Sequence, residues 1–151
     1  MGTKTPVIGL DANILIYALD PAFPEHGKLD GLLFDLSPEK TVAVNPTVIH
    51  ETYHTLVHFQ NIVPSDAVKR LNLIMKHPYI EFYNQTKRIC QIGLKLAEKY
   101  ALGGRDSLIL SNYLANKIPV MYTHDRAILK LKKVSWREGV IALRDPVEGI
   151  E

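Results

Sequence analysis

Short runs rich in β-branched and aromatic residues recur along this chain, and each leads into a stretch of helical length. The runs are "PVIGLD", "TVAVNPT", "YIEFYN" and "VMYTHD". The first is followed by "ANILIYAL" and by "PEHGKLDGLLFDLS", where Leu29, Leu32, Leu33 and Leu36 recur at helical intervals. "TVAVNPT" enters a His-rich helix over 47–59, and "PSDAVKRLNLIMKHP" is a helix opened by Pro64 and Ser65 and closed at Pro78. After "YIEFYN" come "TKRICQIGLKLAEKYALGG", with Gly103-Gly104 as its C-terminal stop, and "RDSLILSNYLANKIP", which stops before Pro119. "VMYTHD" precedes the short helix "RAILKLKK", and "VSWREGVIALRD" reads as a last strand or irregular edge. Strands alternating with helices require crossover connections, so the sheet is parallel and covered on both faces.

That architecture directs attention to the residue that ends each strand. In open parallel sheets, ligands bind beyond the carboxyl ends of the strands, where strand order reverses. Asp11 ends the first run, and Thr123 and Asp125 end the last. Both aspartates also suit the N-cap of the helix that follows. Asp106 opens a late helix and shares its stripe with Ile109, Leu110 and Tyr113. A carboxylate on an apolar stripe needs a compensating partner, although the first turn of a helix rewards negative charge. Arg105 stands beside it, pointing about 100° away. Glu51 falls on the polar side of its helix, where an exposed glutamate is ordinary. Taken together, Asp11, Glu51, Asp106 and Asp125 can meet at one sheet edge. Carboxylates that close repel unless a cation intervenes. Mg²⁺ or Mn²⁺, with their preference for oxygen ligands, answers that need and serves phosphoryl chemistry.

Glu51 also belongs to a second pattern. "VIHETYHTLVHF" contains His50-Glu51-xx-His54, the spacing with which zinc proteases place two histidines on one helix face. His58 makes a poor third ligand, since it lies about 12 Å from His50 along the same axis, against metal–nitrogen bonds of roughly 2 Å. Val57 occupies the glycine position at which the extended form of that motif turns. A zinc protease is therefore a remote alternative, and the histidines are expected on a solvated helix face.

Composition bounds the remaining choices. A chain of 151 residues with 46% hydrophobic content is expected to form one domain, 1–151, with a packed core. Its net charge of +2 permits a nucleic-acid ligand without arguing for one. Cys90 is the only cysteine, which excludes a disulfide framework. "MGTKTPVIGL" lacks the pattern of a secretory leader, and no apolar run approaches the roughly 20 residues that span a bilayer. The expectation is a cytoplasmic protein with no membrane association.

With these residues in view, the sequence resembles the PIN-domain nucleases, and most closely the VapC-type toxin ribonucleases. "VIGLDANILIYAL" is similar to that family's first motif, with Asp11 as first acidic residue and Asn13 as its polar follower. Glu51 in "VIHETYHTL" falls where the family carries a helical glutamate. "RDSLILSNYLANKIPVMYTHDRAI" resembles its C-terminal signature, with Asp106 as third acid, Thr123 as the hydroxyl and Asp125 as the last acid. Ile128, where an aromatic residue is common, and His124, between Thr123 and Asp125, depart from the pattern. The resemblance implies a three-layer α/β/α sandwich with a mainly parallel central sheet. It implies a metal-dependent endoribonuclease with an RNA substrate, a small antitoxin partner and a homodimeric state. A PIN-like RNA-processing factor and a non-catalytic binding scaffold are the alternatives. Arg105, Arg126, Lys130 and Lys132 are candidates for phosphate contacts, with solvated surface charge as the ordinary reading of each.

Overall fold

The structure is a computed structural model, and it describes residues 6–137 and 139–148. The leader reading of the N-terminus falls partly on residues outside that range. Six strands form one sheet in the order β3-β2-β1-β4-β6-β5. They are β1 (Ile8–Leu10), β2 (Val42–Val44), β3 (Ile80–Phe82), β4 (Val120–Tyr122), β5 (Lys133–Trp136) and β6 (Gly139–Arg144). All neighbours pair in parallel except β5, which runs antiparallel to β6 at the sheet's edge. The helices are α1 (Ala12–Leu19), α2 (His26–Phe34), α3 (Pro46–His58), α4 (Pro64–Lys76), α5 (Lys87–Tyr100), α6 (Gly104–Ala115) and α7 (Arg126–Leu129).

The chain moves from β1 to β2 to β3, then crosses back over both to β4. Right-handed crossovers therefore lay α1–α4 on one face and α5–α6 on the other. Packing follows this division: α1 meets α2 and α3, α3 meets α4, and α5 lies against α6. The result is a three-layer α/β/α sandwich. Its central strands are apolar on both sides, with Leu10, Ala43, Val44 and Met121 fully buried. One core cluster runs through the sheet and joins the two helical layers.

Four helices, α1, α3, α5 and α7, begin at a residue whose side chain caps them. Asp11 accepts from the backbone of Ala12, and Asn45 accepts from Val48 N with Pro46 at the first position of α3. Proline there costs nothing, because its missing N–H would have no helical partner. Two expectations need correction. The stop of α5 is Ala101, in the left-handed region at φ 56°, and the glycines serve the next helix: Gly103 is the N-cap of α6 and Gly104 its first residue. The segment "VSWREGVIALRD" is a complete antiparallel hairpin. Its turn passes through Arg137 at φ 54°, which carries none of the Gly or Asn turn chemistry that would announce a hairpin.

Candidate active site

Strand order reverses between β1 and β4, and the chain leaves both strands at the same edge. Asp11 follows β1 directly and Thr123 follows β4, so register alone brings them together. Asp11 N donates to Tyr122 O across the pair at 3.0 Å. The Thr123 hydroxyl donates to Asp11 Oδ2 at 2.7 Å. It can only donate in that direction, because Thr123 Oγ1 already accepts from Asp125 N at 3.1 Å and from Asn13 Nδ2 at 3.4 Å. Asn13 in turn accepts from His124 N through Oδ1 at 3.2 Å. One buried hydroxyl thus ties together the first turn of α1, the end of β4 and the start of α7. Asp125 caps α7, its Oδ1 accepting from Ala127 N and Ile128 N.

Asp11 is nearly inaccessible, and burial raises its carboxyl from the usual range to about 6, against the opposing pull of the Thr123 and Ala12 hydrogen bonds. The charges of Asp106 and Glu51 push in the same upward direction. Glu51 is itself raised, first by burial and then by Asp106, with Arg105 pulling down. Asp106 is raised by burial and by the charge of Asp125, again against Arg105. The charges of Asp106 and Glu51 act on Asp11, that of Asp106 on Glu51 and that of Asp125 on Asp106, which links the four acids on α3, α6 and the ends of β1 and β4. Asp106 joins them because its stripe-mates Ile109, Leu110 and Tyr113 are fully buried, which turns the first turn of α6 inward.

The set is loose. Among the described residues, no three of these four acids bring carboxylate oxygens within 4.8 Å of one another. Nor is Glu51 the solvated residue expected of a polar helix face: it is half-buried and pairs with Arg105 Nε at 3.3 Å. That pair joins α3 to α6 across the edge. Arg105 is therefore not Asp106's direct partner but a cation set between the two acids. His50 and His54 are exposed, and the His54 and His58 rings lie 4.8 Å apart. Among the described residues, neither joins a group of three metal-binding side chains, so the helix offers no protease-type zinc site.

Sequence reasoning missed three features here. Tyr113 is fully buried under the sheet, and its hydroxyl donates to Leu10 O at 2.6 Å, with Ala43 O at 3.0 Å, steadying the strand ends that present Asp11. Asn45 ends β2 at the same edge and starts the helix that carries Glu51. His124 Nδ1 lies 2.8 Å from Asp145 Oδ2, and with Glu148 these side chains bring donor atoms within 4.8 Å of one another. The signal for Asp145 was present, since an acid directly after a strand is what marked Asp11. It is hidden in the sequence because "VSWREGVIALRD" does not announce where β6 begins or that it runs parallel to β4.

Comparison with known proteins bears on the whole arrangement. Residues 8–134 match the family profile of the PIN domain. A search of curated proteins returns no relative. Among solved structures, the chain resembles Mycobacterium tuberculosis VapC20, described as a sarcin-ricin loop cleaving toxin, with TM-score 0.70 and 15% identity over 86% of this chain and 98% of that one. VapBC from Salmonella typhimurium, bound to DNA, aligns with TM-score 0.65 and 12% identity over 94% of this chain and 99% of that one. VapBC2 from Rickettsia felis, bound to a fragment of promoter DNA, gives TM-score 0.62 and 17% identity over 92% and 98%. At these identities the likeness speaks for the fold.

Proposed function

The chain belongs to the PIN-domain family, and from that membership and its acidic edge we propose that it is a divalent-metal-dependent endoribonuclease. In this reading it is a single-domain cytoplasmic toxin, held in check by a small antitoxin and active as a homodimer. The observation that carries the proposal is the joining of acids from distant segments at the carboxyl edge: Thr123 ties Asp11 to the start of Asp125's helix, and Arg105, beside Asp106, holds Glu51 at 3.3 Å.

The donor set fits a hard cation. Asp11 is buried enough to favour protonation, yet Thr123 donates to it and holds it as an acceptor. A cation nearby would satisfy both demands. The spacing favours an ion that keeps part of its water shell, as Mg²⁺ does when it binds through one or two carboxylates. Mn²⁺ suits the same oxygen donors. Asp11, Asp106 and Asp125 would hold the ion directly or through water, with Glu51 reaching it through water. Once bound, such an ion supplies Lewis acidity toward a phosphodiester and lowers the pKa of water.

The chain's own residues have definable parts. Thr123 keeps Asp11 oriented and Asn13 holds Thr123 in register with α1. Asp106 and Glu51 are half-buried acceptors that would orient a nucleophilic water. Arg105 is mostly exposed, so its pair with Glu51 is weak and the guanidinium can exchange that partner for a phosphate.

The test is cleavage of single-stranded and of structured RNA with Mg²⁺, with Mn²⁺ and with EDTA. Asp11→Asn and Asp106→Asn are expected to abolish metal-dependent cleavage while circular dichroism stays native. Undiminished cleavage by either variant would sink the mechanism. His50→Ala and His54→Ala are expected to cleave as the unaltered protein does.

A further inference from the structure

We infer that the trough between α5 and the β5–β6 hairpin is a second nucleic-acid contact, a basic track that takes a single-stranded segment of the RNA away from the acidic edge. This inference rests on the ribonuclease reading for the identity of the polyanion.

Two adjoining hollows, of about 790 and 640 Å³, share Arg88, Ile92, Trp136 and Arg137. Arg88 and Lys95 line them from α5, Arg137 from the hairpin turn, and Lys117 from the connection into β4. All four cations are exposed. Among the described lining residues the one acid is Glu98, which lies 4.0 Å from Lys95 and is itself open to solvent. Arg88 and Lys95 stand two turns apart on one helix, about 10 Å along its axis. Beneath them Trp136 is part-buried, with the Arg137 guanidinium 5.9 Å from its ring centre.

An electropositive channel with an aromatic platform is what sequence-tolerant binding of single strands requires: cations for the backbone, a ring face for a base. Charge complementarity excludes the simplest competitor. A second copy seated by the same face would bring these cations against their counterparts, with Glu98 as the described relief. The trough is also distant from the acidic set in topology. Trp136 and Gly139 flank the hairpin turn at the amino edge of the parallel strands, whereas Asp11 and Thr123 lie at the carboxyl edge. The helical hairpin of α5 and α6 connects the two: the chain turns back between Tyr100 and Gly104, and Gly93 leaves room for Ser107, Leu108 and Ser111 of the facing helix. The carboxyl end of α5 therefore approaches the end of α6 that carries Arg105 and Asp106. An RNA held at both places would run along this helical hairpin.

Trp136 is the chain's single tryptophan, which makes the site directly observable. The experiment titrates the full chain carrying Asp106→Asn, so that RNA stays intact, with a 20-nucleotide oligouridylate. Trp136 emission and the anisotropy of end-labelled RNA are followed together. The expected result is quenching that tracks the anisotropy and weakens with salt. Arg88→Glu/Arg137→Glu should raise Kd at least tenfold and reduce the log–log salt slope by about 1.4, at roughly 0.7 per lost phosphate contact. Arg88→Gln should act in the same direction with a smaller effect. Silent Trp136 emission while anisotropy reports bound RNA overturns the track, as does unchanged affinity in the double variant. Equal quenching by polyglutamate overturns it in favour of an acidic protein partner. The two readings fail separately. Metal-dependent cleavage with a silent tryptophan removes only the track, and quenching without any cleavage by the unaltered chain removes only the enzyme.

Discussion

Thr123 is fully buried and makes three hydrogen bonds through a single oxygen. Replacing it with valine keeps the shape and removes the hydroxyl. Asp11 then loses its donor, while Asp125 N and Asn13 lose their acceptor. Unsatisfied buried groups cost about 1–3 kcal/mol each. Thr123→Val should therefore lower the melting temperature and reduce RNA cleavage at least tenfold, and Thr123→Ser should restore most of both. Asp11 supplies a second test at this scale. Its folded-state carboxyl sits at about 6, above the ordinary 3.8, because burial opposes the charge. A raised carboxyl means the folded protein holds its proton more tightly than the unfolded chain. That contribution is fully present below the ordinary value and is lost as pH rises through about 6. In EDTA the protein should melt at higher temperature at pH 5 than at pH 7, with Asp11 contributing about 1.3 kcal/mol of the difference, because only about one pH unit of that window lies below its folded-state value. Mg²⁺ or Mn²⁺ should restore stability more at pH 7 than at pH 5, since the cation favours the charged carboxylate. A thermal-shift series in both conditions reads this, and a flat apo profile would contradict it.

At the scale of elements, the contact between β1 and α6 governs where Asp11 sits. Gly9 faces the Tyr113 ring so closely that a Cβ built there would lie 2.7 Å from Tyr113 Cδ2. Gly9→Ala should force the ring outward and strain its bonds to Leu10 O and Ala43 O. Overpacking of this kind costs about 1–3 kcal/mol. Gly9→Ala/Tyr113→Leu, which removes the obstruction, should show less than the sum of the two single effects in denaturant titration. Most elements were legible from periodicity, because a strand run followed by a helical stripe is a local pattern. The β5–β6 hairpin was not, since its turn lacks glycine or asparagine at the left-handed position. The boundary between α5 and α6 is hidden for a related reason: Gly103-Gly104 has the composition of a stop, but Ala101 takes the left-handed conformation first.

At the scale of the whole molecule, no helix among the described residues is long and apolar enough to cross a membrane. The surface near α3 and α4 nevertheless exposes Phe59, Val63 and Leu73, each more than 60% accessible. Phe59 and Val63 flank the connection between α3 and α4, and large apolar side chains exposed there suit a protein partner. Light scattering of the purified chain should return twice the chain mass, and a monomer at micromolar concentration would argue against the homodimer. Of the site, the four acids and Thr123 were legible as candidates because strand ends and helix faces can be counted along a sequence, whereas Asn13 entered only through the resemblance to the family's first motif. The Arg105–Glu51 pair was not, because it joins residues on α3 and α6 whose approach depends on two crossovers.

The sequence by itself determined the alternation of strands and helices, the parallel sheet and the residues standing at its carboxyl edge, because these follow from hydrophobic period and from crossover connections. Tertiary structure alone decided that strand order reverses between β1 and β4, that Thr123 donates to Asp11, and that a basic trough opens behind α5. Each of these depends on which distant segments become neighbours, and a linear pattern carries no term for that.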